Sequence, residues 1–119
     1  WGFKQLIEAN AAQVLNADAQ VLGGITEWKK VADLAMSSHV LLAPHGDQEI
    51  HAHLVASVPN GLIAEYYDNN TNALLKDMFP EPIRLNELGQ IMVPQAPGLG
   101  VEIEYERIRP YCTYSSDDK

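Results

Sequence analysis

The amino-acid sequence predicts an α/β fold with parallel strands, and two observations support that prediction. Three short apolar runs alternate with stretches in which apolar residues recur at helical spacing, a pattern typical of strands buried on both faces of a parallel sheet. Each run also leads into one ionisable residue: Asp18, His45 and Glu65 in turn. Because the active site of a (β/α) barrel lies at the carboxyl ends of its strands, this arrangement suggests catalytic machinery rather than packing.

The first half of the chain is predicted to alternate between helices and strands. Apolar residues at helical spacing indicate an amphipathic helix over residues 3–11, and the first strand follows over residues 13–18. Residues 19–24 are expected to form a loop that contains a glycine pair. The Thr26 hydroxyl is then expected to cap a helix with an apolar stripe, which ends at the pair Ser37-Ser38.

Two more strands are predicted, over residues 39–44 and 62–66. The helix between them is expected to begin with Asp47 as its cap, and its inward face is expected to contain Ile50, Leu54 and Val58. After the third strand, the sequence predicts a short helix, a hairpin, a rigid proline-rich loop and an extended tail. These segments correspond to residues 73–79, 83–93, 94–100 and 101–105.

The spacing of the three ionisable residues fits the repeat of a (β/α) barrel. Asp18 and His45 are 27 residues apart, and His45 and Glu65 are 20 apart, whereas an average barrel unit has ~31 residues. Three strands cannot close a barrel, however. The chain is therefore expected to be either a small three-stranded α/β domain or the C-terminal part of a barrel whose first half lies outside it.

Composition and charge argue against several classes of function. The chain has 119 residues and a net charge of −8, from 16 acidic and 8 basic residues, which disfavours binding to nucleic acids and to anionic membrane surfaces. No apolar run approaches the ~18 residues of a membrane span. Cys112 is the only cysteine, so the chain cannot form an intrachain disulfide, and the cytoplasm is the expected compartment. The chain starts at Trp1 without an initiator Met, and we expect it to be part of a longer protein.

His45 and Asp18 are the first candidates for catalysis. An imidazole titrates near neutrality and suits general-base work, and adjacent strand ends in a parallel sheet lie ~5 Å apart. We therefore expect the Asp18 carboxylate to lie within hydrogen-bonding distance of His45, to orient its ring and to favour the imidazolium. The alternatives are that His45 is a structural histidine at a strand end and that Asp18 simply begins a loop.

Glu65 is the third candidate. As an acid with a raised pKa it could hydrogen-bond a substrate carboxylate, although an ordinary solvated glutamate is the alternative. Tyr67, two residues later, is more typical of packing. His51 and His53 suggest a metal site with His45, but residues two apart on a helix point in different directions, which argues against such a site.

Four segments of the chain resemble the enolase superfamily, and specifically the C-terminal part of its mandelate racemase subgroup. They are NADAQVLGGITE at residues 16–27, APHG at 43–46, IAEY at 63–66 and PGLGVEI at 97–103. Their order and spacing are similar to those of the family over nearly the whole chain.

The resemblance implies a modified (β/α) barrel of the TIM type with a separate capping domain. Residues 13–18, 39–44 and 61–66 would be barrel strands six, seven and eight, with flanking helices. Residues 1–119 would be the C-terminal portion of the barrel domain, so the capping domain and the first half of the barrel are expected to lie outside this chain.

The resemblance also implies roles for the three ionisable residues. Asp18 and His45 would form the family's Asp–His dyad, in which His45 exchanges the proton α to a substrate carboxylate. Glu65 would match the acidic residue that hydrogen-bonds that carboxylate as it becomes an enediolate. The family's Mg²⁺ is held by carboxylates that are expected upstream of Trp1, so no metal ligand is assigned within the chain. An isolated fragment is therefore expected to be inactive, because deprotonation of so weak an acid needs the metal.

The expected reaction of the full-length enzyme is dehydration of an acid sugar. Racemisation or epimerisation of a 2-hydroxy acid through the same dyad is one alternative, and a non-catalytic α/β binding module, complete at 119 residues, is another. The expected partner is a small-molecule carboxylate, with no nucleic acid and no membrane. The full-length protein is expected to be a homo-oligomer.

Overall fold

The computed structural model describes residues 2–113, without the side chain of Asn69, and the chain divides into two units, Trp1–Tyr67 and Asp68–Lys119. The first unit contains the predicted alternation of helices with short parallel strands. In chain order its elements are α1 (Gly2–Glu8), β1 (Val14–Leu15), α2 (Ala19–Leu22), α3 (Ile25–Ser37), β2 (Leu41–Leu42) and α4 (Gln48–Ala56).

The sheet is parallel, as predicted, but each of its strands is shorter than the sequence suggested. Val14 pairs with Leu41 and Leu15 with Leu42. On the other edge of β2 the Leu42 N–H donates to the third segment, and Pro44, two residues later, has no N–H to continue that pairing. The Asn16 side chain donates to the Ala43 carbonyl at 2.7 Å, where a backbone donor would continue the ladder. The lengths predicted for the first two strands, 13–18 and 39–44, were therefore wrong.

The third predicted strand, over residues 61–66, is reduced to one parallel bridge within the described residues, between Leu42 and Gly61. The Leu42 N–H donates to the Asn60 carbonyl at 2.9 Å, and the Leu62 N–H donates to the Leu42 carbonyl at 2.8 Å. Beyond this bridge Leu62 and Ile63 are 53% and 62% exposed, so neither side chain is buried in the core of this unit. The segment lies beside β2 in the predicted order, but it is not a ladder of its own.

The core of the first unit lies between the strands and α3. The apolar stripe of α3 buries Trp28, Ala32 and Ala35 almost completely, against Leu15 of β1 and Leu42 of β2. The Trp28 indole N–H donates to the Ala17 carbonyl at 2.9 Å, which satisfies its only polar group. The stripe predicted from helical spacing is thus confirmed, and it fixes the position of the chain just before Asp18.

Several predicted helix boundaries were wrong for local reasons. The first helix ends at Glu8 rather than residue 11, and Asn10 then adopts a left-handed turn conformation with φ of 51°. The predicted loop 19–24 contains α2 instead. The helix α3 begins at Ile25 with Gly24 at its N-cap, so Thr26 lies inside the first turn and is not the cap. Asp47 occupies the N-cap position of α4, but within the described residues its side chain makes no capping hydrogen bond.

The second unit contains α5 (Ala73–Met78), which begins at the cap residue Asn72 and confirms the predicted helix over 73–79 to within one residue. The predicted hairpin is present as one antiparallel bridge between Leu85 and Ile91. Residues 101–104 have no regular secondary structure, and α6 (Tyr105–Ile108) and a 3₁₀ turn (Arg109–Tyr111) follow, so the tail predicted to be extended over 101–105 is helical at its last residue. A further 3₁₀ turn (Asn69–Thr71) precedes α5.

Across residues 2–113, the longest helices fall short of the length and apolarity that a membrane-spanning helix requires.

Candidate active site

Asp18 stands where β1 leads into α2, and its two carboxylate oxygens have different partners. Oδ1 accepts the backbone N–H groups of Gln20 and Val21, at 2.7 and 3.4 Å, which makes Asp18 the N-cap of α2. Oδ2 faces the His45 Nδ1 at 3.2 Å. The capping bonds hold the carboxylate at one orientation, so it is already aligned toward the imidazole.

The protonation state of Asp18 follows from these contacts. Partial burial acts to raise the pKa of its carboxyl, but the hydrogen bonds from His45 and from the Gln20 and Val21 N–H groups outweigh it. The pKa of Asp18 therefore lies below its ordinary value, and the side chain is an anion at neutral pH. An anion in this position can only accept, so the contact is a hydrogen bond from the His45 Nδ1–H.

His45 is at the start of the loop after β2, and its side chain is 56% exposed. The 3.2 Å contact from its Nδ1 to Asp18 confirms the predicted hydrogen-bonding distance between the two side chains. When Nδ1 carries the proton in this bond, Nε2 is the basic ring nitrogen. Gly46 follows with φ of 56°, and a Cβ there would lie only 3.2 Å from the Tyr67 ring, so both backbone and packing favour glycine.

Glu65 is brought to the same loop. Its Oε2 accepts the Gly46 N–H at 2.7 Å, which joins the third predicted strand end to the second. The pKa of the Tyr67 hydroxyl is raised, first by desolvation and then by its charge interaction and hydrogen bonding with the Glu65 carboxylate. The Tyr67 ring stands edge-on to the His45 ring, with centroids 6.3 Å apart. Tyr67, which the sequence suggested was packing, therefore contacts two of the three candidates.

Two buried side chains of α4 that the sequence did not assign to the site connect its loops. The Gln48 side chain bonds both backbone groups of Tyr67: its Nε2 donates to the carbonyl at 3.0 Å, and its Oε1 accepts the N–H at 3.3 Å. His51 is fully buried, where its Nε2 accepts the Ala19 N–H at 3.0 Å and its Nδ1 donates to the Gly46 carbonyl at 2.7 Å.

One signal could have found His51. It precedes Leu54 by three residues and Val58 by seven, so helical spacing places it on the inward face together with them. A histidine on an inward face must find hydrogen-bond partners.

Among residues 2–113, no group of three or more His, Cys, Asp or Glu side chains is arranged to hold a metal ion. The described residues therefore do not supply a magnesium site built from three or more such side chains. The chemistry that they can perform is proton transfer and hydrogen bonding.

Comparison with known proteins shows the family. The family described as enolase C-terminal domain-like matches residues 1–108. The 3,6-anhydro-alpha-L-galactonate cycloisomerase of Streptomyces coelicolor is 30% identical over 108 residues, 91% of this chain and 28% of that protein. The L-rhamnonate dehydratase of Saccharopolyspora erythraea is 30% identical over 117 residues, 93% of this chain and 30% of that protein. The chain thus spans less than a third of these relatives.

Solved structures have the same fold over most of the chain. A mandelate racemase/muconate lactonizing enzyme from a marine actinobacterium, in complex with magnesium, has a TM-score of 0.81 and 31% identity, covering 92% of this chain and 31% of its own. An L-talarate dehydratase from a Polaromonas species, complexed with Mg and L-glucarate, has a TM-score of 0.77 and 35% identity, covering 88% and 28%. The chain belongs to the enolase C-terminal domain-like family and has its α/β fold.

Proposed function

We propose that this chain supplies the general base of an enzyme that removes the proton α to a carboxylate, and that the whole protein dehydrates an acid sugar. The observation that carries the proposal is the 3.2 Å contact between His45 Nδ1 and Asp18 Oδ2 at neighbouring carboxyl ends of a parallel sheet. The dehydratases among the relatives, for L-rhamnonate and L-talarate, support the choice of substrate class.

Each of the three candidates has a role in this proposal. Asp18 accepts a hydrogen bond from the Nδ1–H of His45 and orients the ring, so that Nε2 takes the substrate's α-proton. The Asp18 anion then stabilises the imidazolium. Glu65, whose Oε2 accepts the Gly46 N–H, is the acidic group that in its protonated form donates a hydrogen bond to the substrate carboxylate as charge develops on it.

The proposal also concerns the parts of the protein that lie outside residues 1–119. We assign the segments 13–18, 39–44 and 61–66 to strands six, seven and eight of a TIM-type barrel, whose first half and capping domain lie outside residues 1–119. The Mg²⁺ named for two of the structural neighbours would be held by that other part and would neutralise the developing dianion. We further propose a homo-oligomer in the cytoplasm.

The test uses the complete protein with a panel of acid sugars that includes L-rhamnonate and L-glucarate. In D₂O, the wild type should exchange the α-proton of its substrate and release a 2-keto acid. His45→Asn keeps the approximate shape but cannot take a proton, so exchange should fall by at least 10²-fold while Mg²⁺ binding persists. Asp18→Asn should be nearly as damaging. The control is His39→Asn, because His39 is exposed and has a φ of 57°, which asparagine tolerates.

Full activity of His45→Asn would refute the role of His45. Exchange or inversion at the α-carbon without any 2-keto acid would instead identify the racemase or epimerase alternative, in which the enediolate is reprotonated rather than losing a β-hydroxyl.

A further inference from the structure

We propose that His51 is the positioning residue of the Asp18–His45 pair: its buried ring fastens together the two loops that carry them. The inference rests on the proposed function, because it assigns His51 a part in the same proton transfer. His51 does not contact the substrate in this proposal and acts through the backbone.

The two residues that His51 contacts each directly follow a member of the Asp18–His45 pair in the chain. Ala19, whose N–H donates to the His51 Nε2 at 3.0 Å, directly follows Asp18. Gly46, whose carbonyl accepts from the His51 Nδ1 at 2.7 Å, directly follows His45. A single rigid ring therefore sets the separation of the two backbones from which the catalytic side chains extend.

The partners of the ring also determine where its proton is. A carbonyl only accepts and a backbone N–H only donates, so Nδ1 carries the proton and Nε2 does not. Both contacts are satisfied only by the neutral imidazole. Cationic His51 would have to release the Ala19 N–H, which is costly at a side chain with 0% exposure.

Other roles for His51 fit the geometry less well. Its Nε2 lies 3.9 Å from the Asp18 Oδ1, beyond hydrogen-bonding distance, and that oxygen already accepts the Gln20 N–H at 2.7 Å. The Nε2 lone pair is directed to Ala19, so it is not available to a metal. His51 is thus neither a hydrogen-bond partner of Asp18 nor a metal ligand.

The helix that carries His51 makes the fastening rigid. Gln48, one turn earlier on α4, bonds the Tyr67 backbone in the same manner and holds the segment after Glu65. Two side chains of one helix therefore connect three loops. Because misplacing a reacting group by about 1 Å can cost about 10²-fold in rate, this fastening is expected to affect kcat.

The test compares three variants of the complete enzyme. The amide nitrogen of His51→Asn can replace Nδ1 and donate to Gly46, and the amide oxygen of His51→Gln can replace Nε2 and accept from Ala19; His51→Leu keeps neither bond. We expect kcat to fall about 10-fold for the two amides and about 10²-fold for leucine, with KM within threefold of wild type. His39→Gln, at an exposed histidine, is the control.

A second measurement does not depend on activity. Side-chain ¹H–¹⁵N NMR of the wild type, with the His51 signals identified by their loss in His51→Gln, should show a neutral ring protonated on Nδ1. A ring protonated on Nε2, or an imidazolium at neutral pH, would overturn the proposal even if His51→Leu failed to fold. The proposal would also be overturned if His51→Leu and at least one of the two amide variants folded and had the kcat of the wild type. If the wild type exchanges no α-proton, the proposed function is wrong. The NMR measurement of the His51 tautomer would still test whether His51 holds the two loops together.

Discussion

Asp18 shows how much one side chain can determine at the scale of a residue. One oxygen begins α2 and the other holds the His45 ring, so local folding and catalytic alignment depend on the same carboxylate. An asparagine at this position could still cap the helix through its amide oxygen, but it would lose the anion that favours imidazolium. The damage expected from Asp18→Asn is therefore chemical rather than structural.

Tyr67→Phe tests the second residue-scale contact. The phenyl ring keeps its packing beside Gly46 and its edge-on approach to His45, but the hydrogen bond to Glu65 is lost. We expect kcat/KM of the complete enzyme to fall several-fold, because Glu65 is then less firmly oriented, with little change in melting temperature. Tyr105→Phe is the matched control, since Tyr105 is 71% exposed. Equal kcat/KM in the two variants would show that the Tyr67 hydroxyl has no part in the site.

At the scale of elements, the short strands are completed by side chains. The pairing of β1 with β2 covers two residues on each strand. Beyond it, asparagine side-chain amides donate the hydrogen bonds to backbone carbonyls. Asn16 donates to the Ala43 carbonyl at 2.7 Å, and the buried Asn60 donates to the carbonyls of Ala32 and Val40, both at 3.1 Å. Asn60 thereby joins the third segment to both α3 and the start of β2.

The two asparagines form a matched pair for mutation. Asn60→Ala leaves buried carbonyls without their donor, so it should lower the local opening free energy by about 1–3 kcal/mol. Asn16→Ala leaves the Ala43 carbonyl to be hydrogen-bonded by water, so it should lower the local opening free energy by less than about 1 kcal/mol. Amide hydrogen exchange at Leu42 and Leu62 in the complete protein measures the opening free energy of each variant. If Asn16→Ala accelerates exchange as much as Asn60→Ala, burial is not what gives Asn60 its importance.

At the scale of the whole molecule, the sheet has one covered face and one open face. Along each strand a buried residue alternates with an exposed one: Leu15 is 2% exposed but Val14 41%, and Leu42 is 0% exposed but Leu41 37%. The open face is therefore apolar, as expected of strands whose sequences are apolar throughout. Such a face, next to strand edges without partners in this unit, favours association.

We expect purified residues 1–119 to associate rather than to behave as a stable monomer. Apolar surface contributes about 25 cal/mol per Å² when it is covered, so the open face gains from contact with another copy. Sedimentation velocity measures the association. Val14→Thr with Leu41→Thr replaces the two exposed apolar side chains of this face with a polar, β-branched residue that suits a strand, and should reduce the association. A monomeric wild type with a sharp, cooperative melt would contradict the barrel assignment and favour a self-sufficient module.

The sequence by itself determined the alternation of helices and strands, the parallel order of the strands, the stripe on α3 and the family. It also placed Asp18 and His45 close enough to bond, because the carboxyl ends of neighbouring parallel strands must meet at one edge. These features follow from hydrophobic periodicity and from the order of elements along the chain, and both can be recognised in short segments of the sequence.

Only the tertiary structure decided how the site is held together. The bond from Ala19 to His51 joins residues 32 apart, and the bond from Gly46 to Glu65 joins residues 19 apart, so no local pattern encodes either. The same holds for the strand ends, where the asparagine side chains replace the ladder. The sequence shows which residues can carry the chemistry, whereas their partners depend on packing between segments that are distant in the chain, and that packing exists only in the folded molecule.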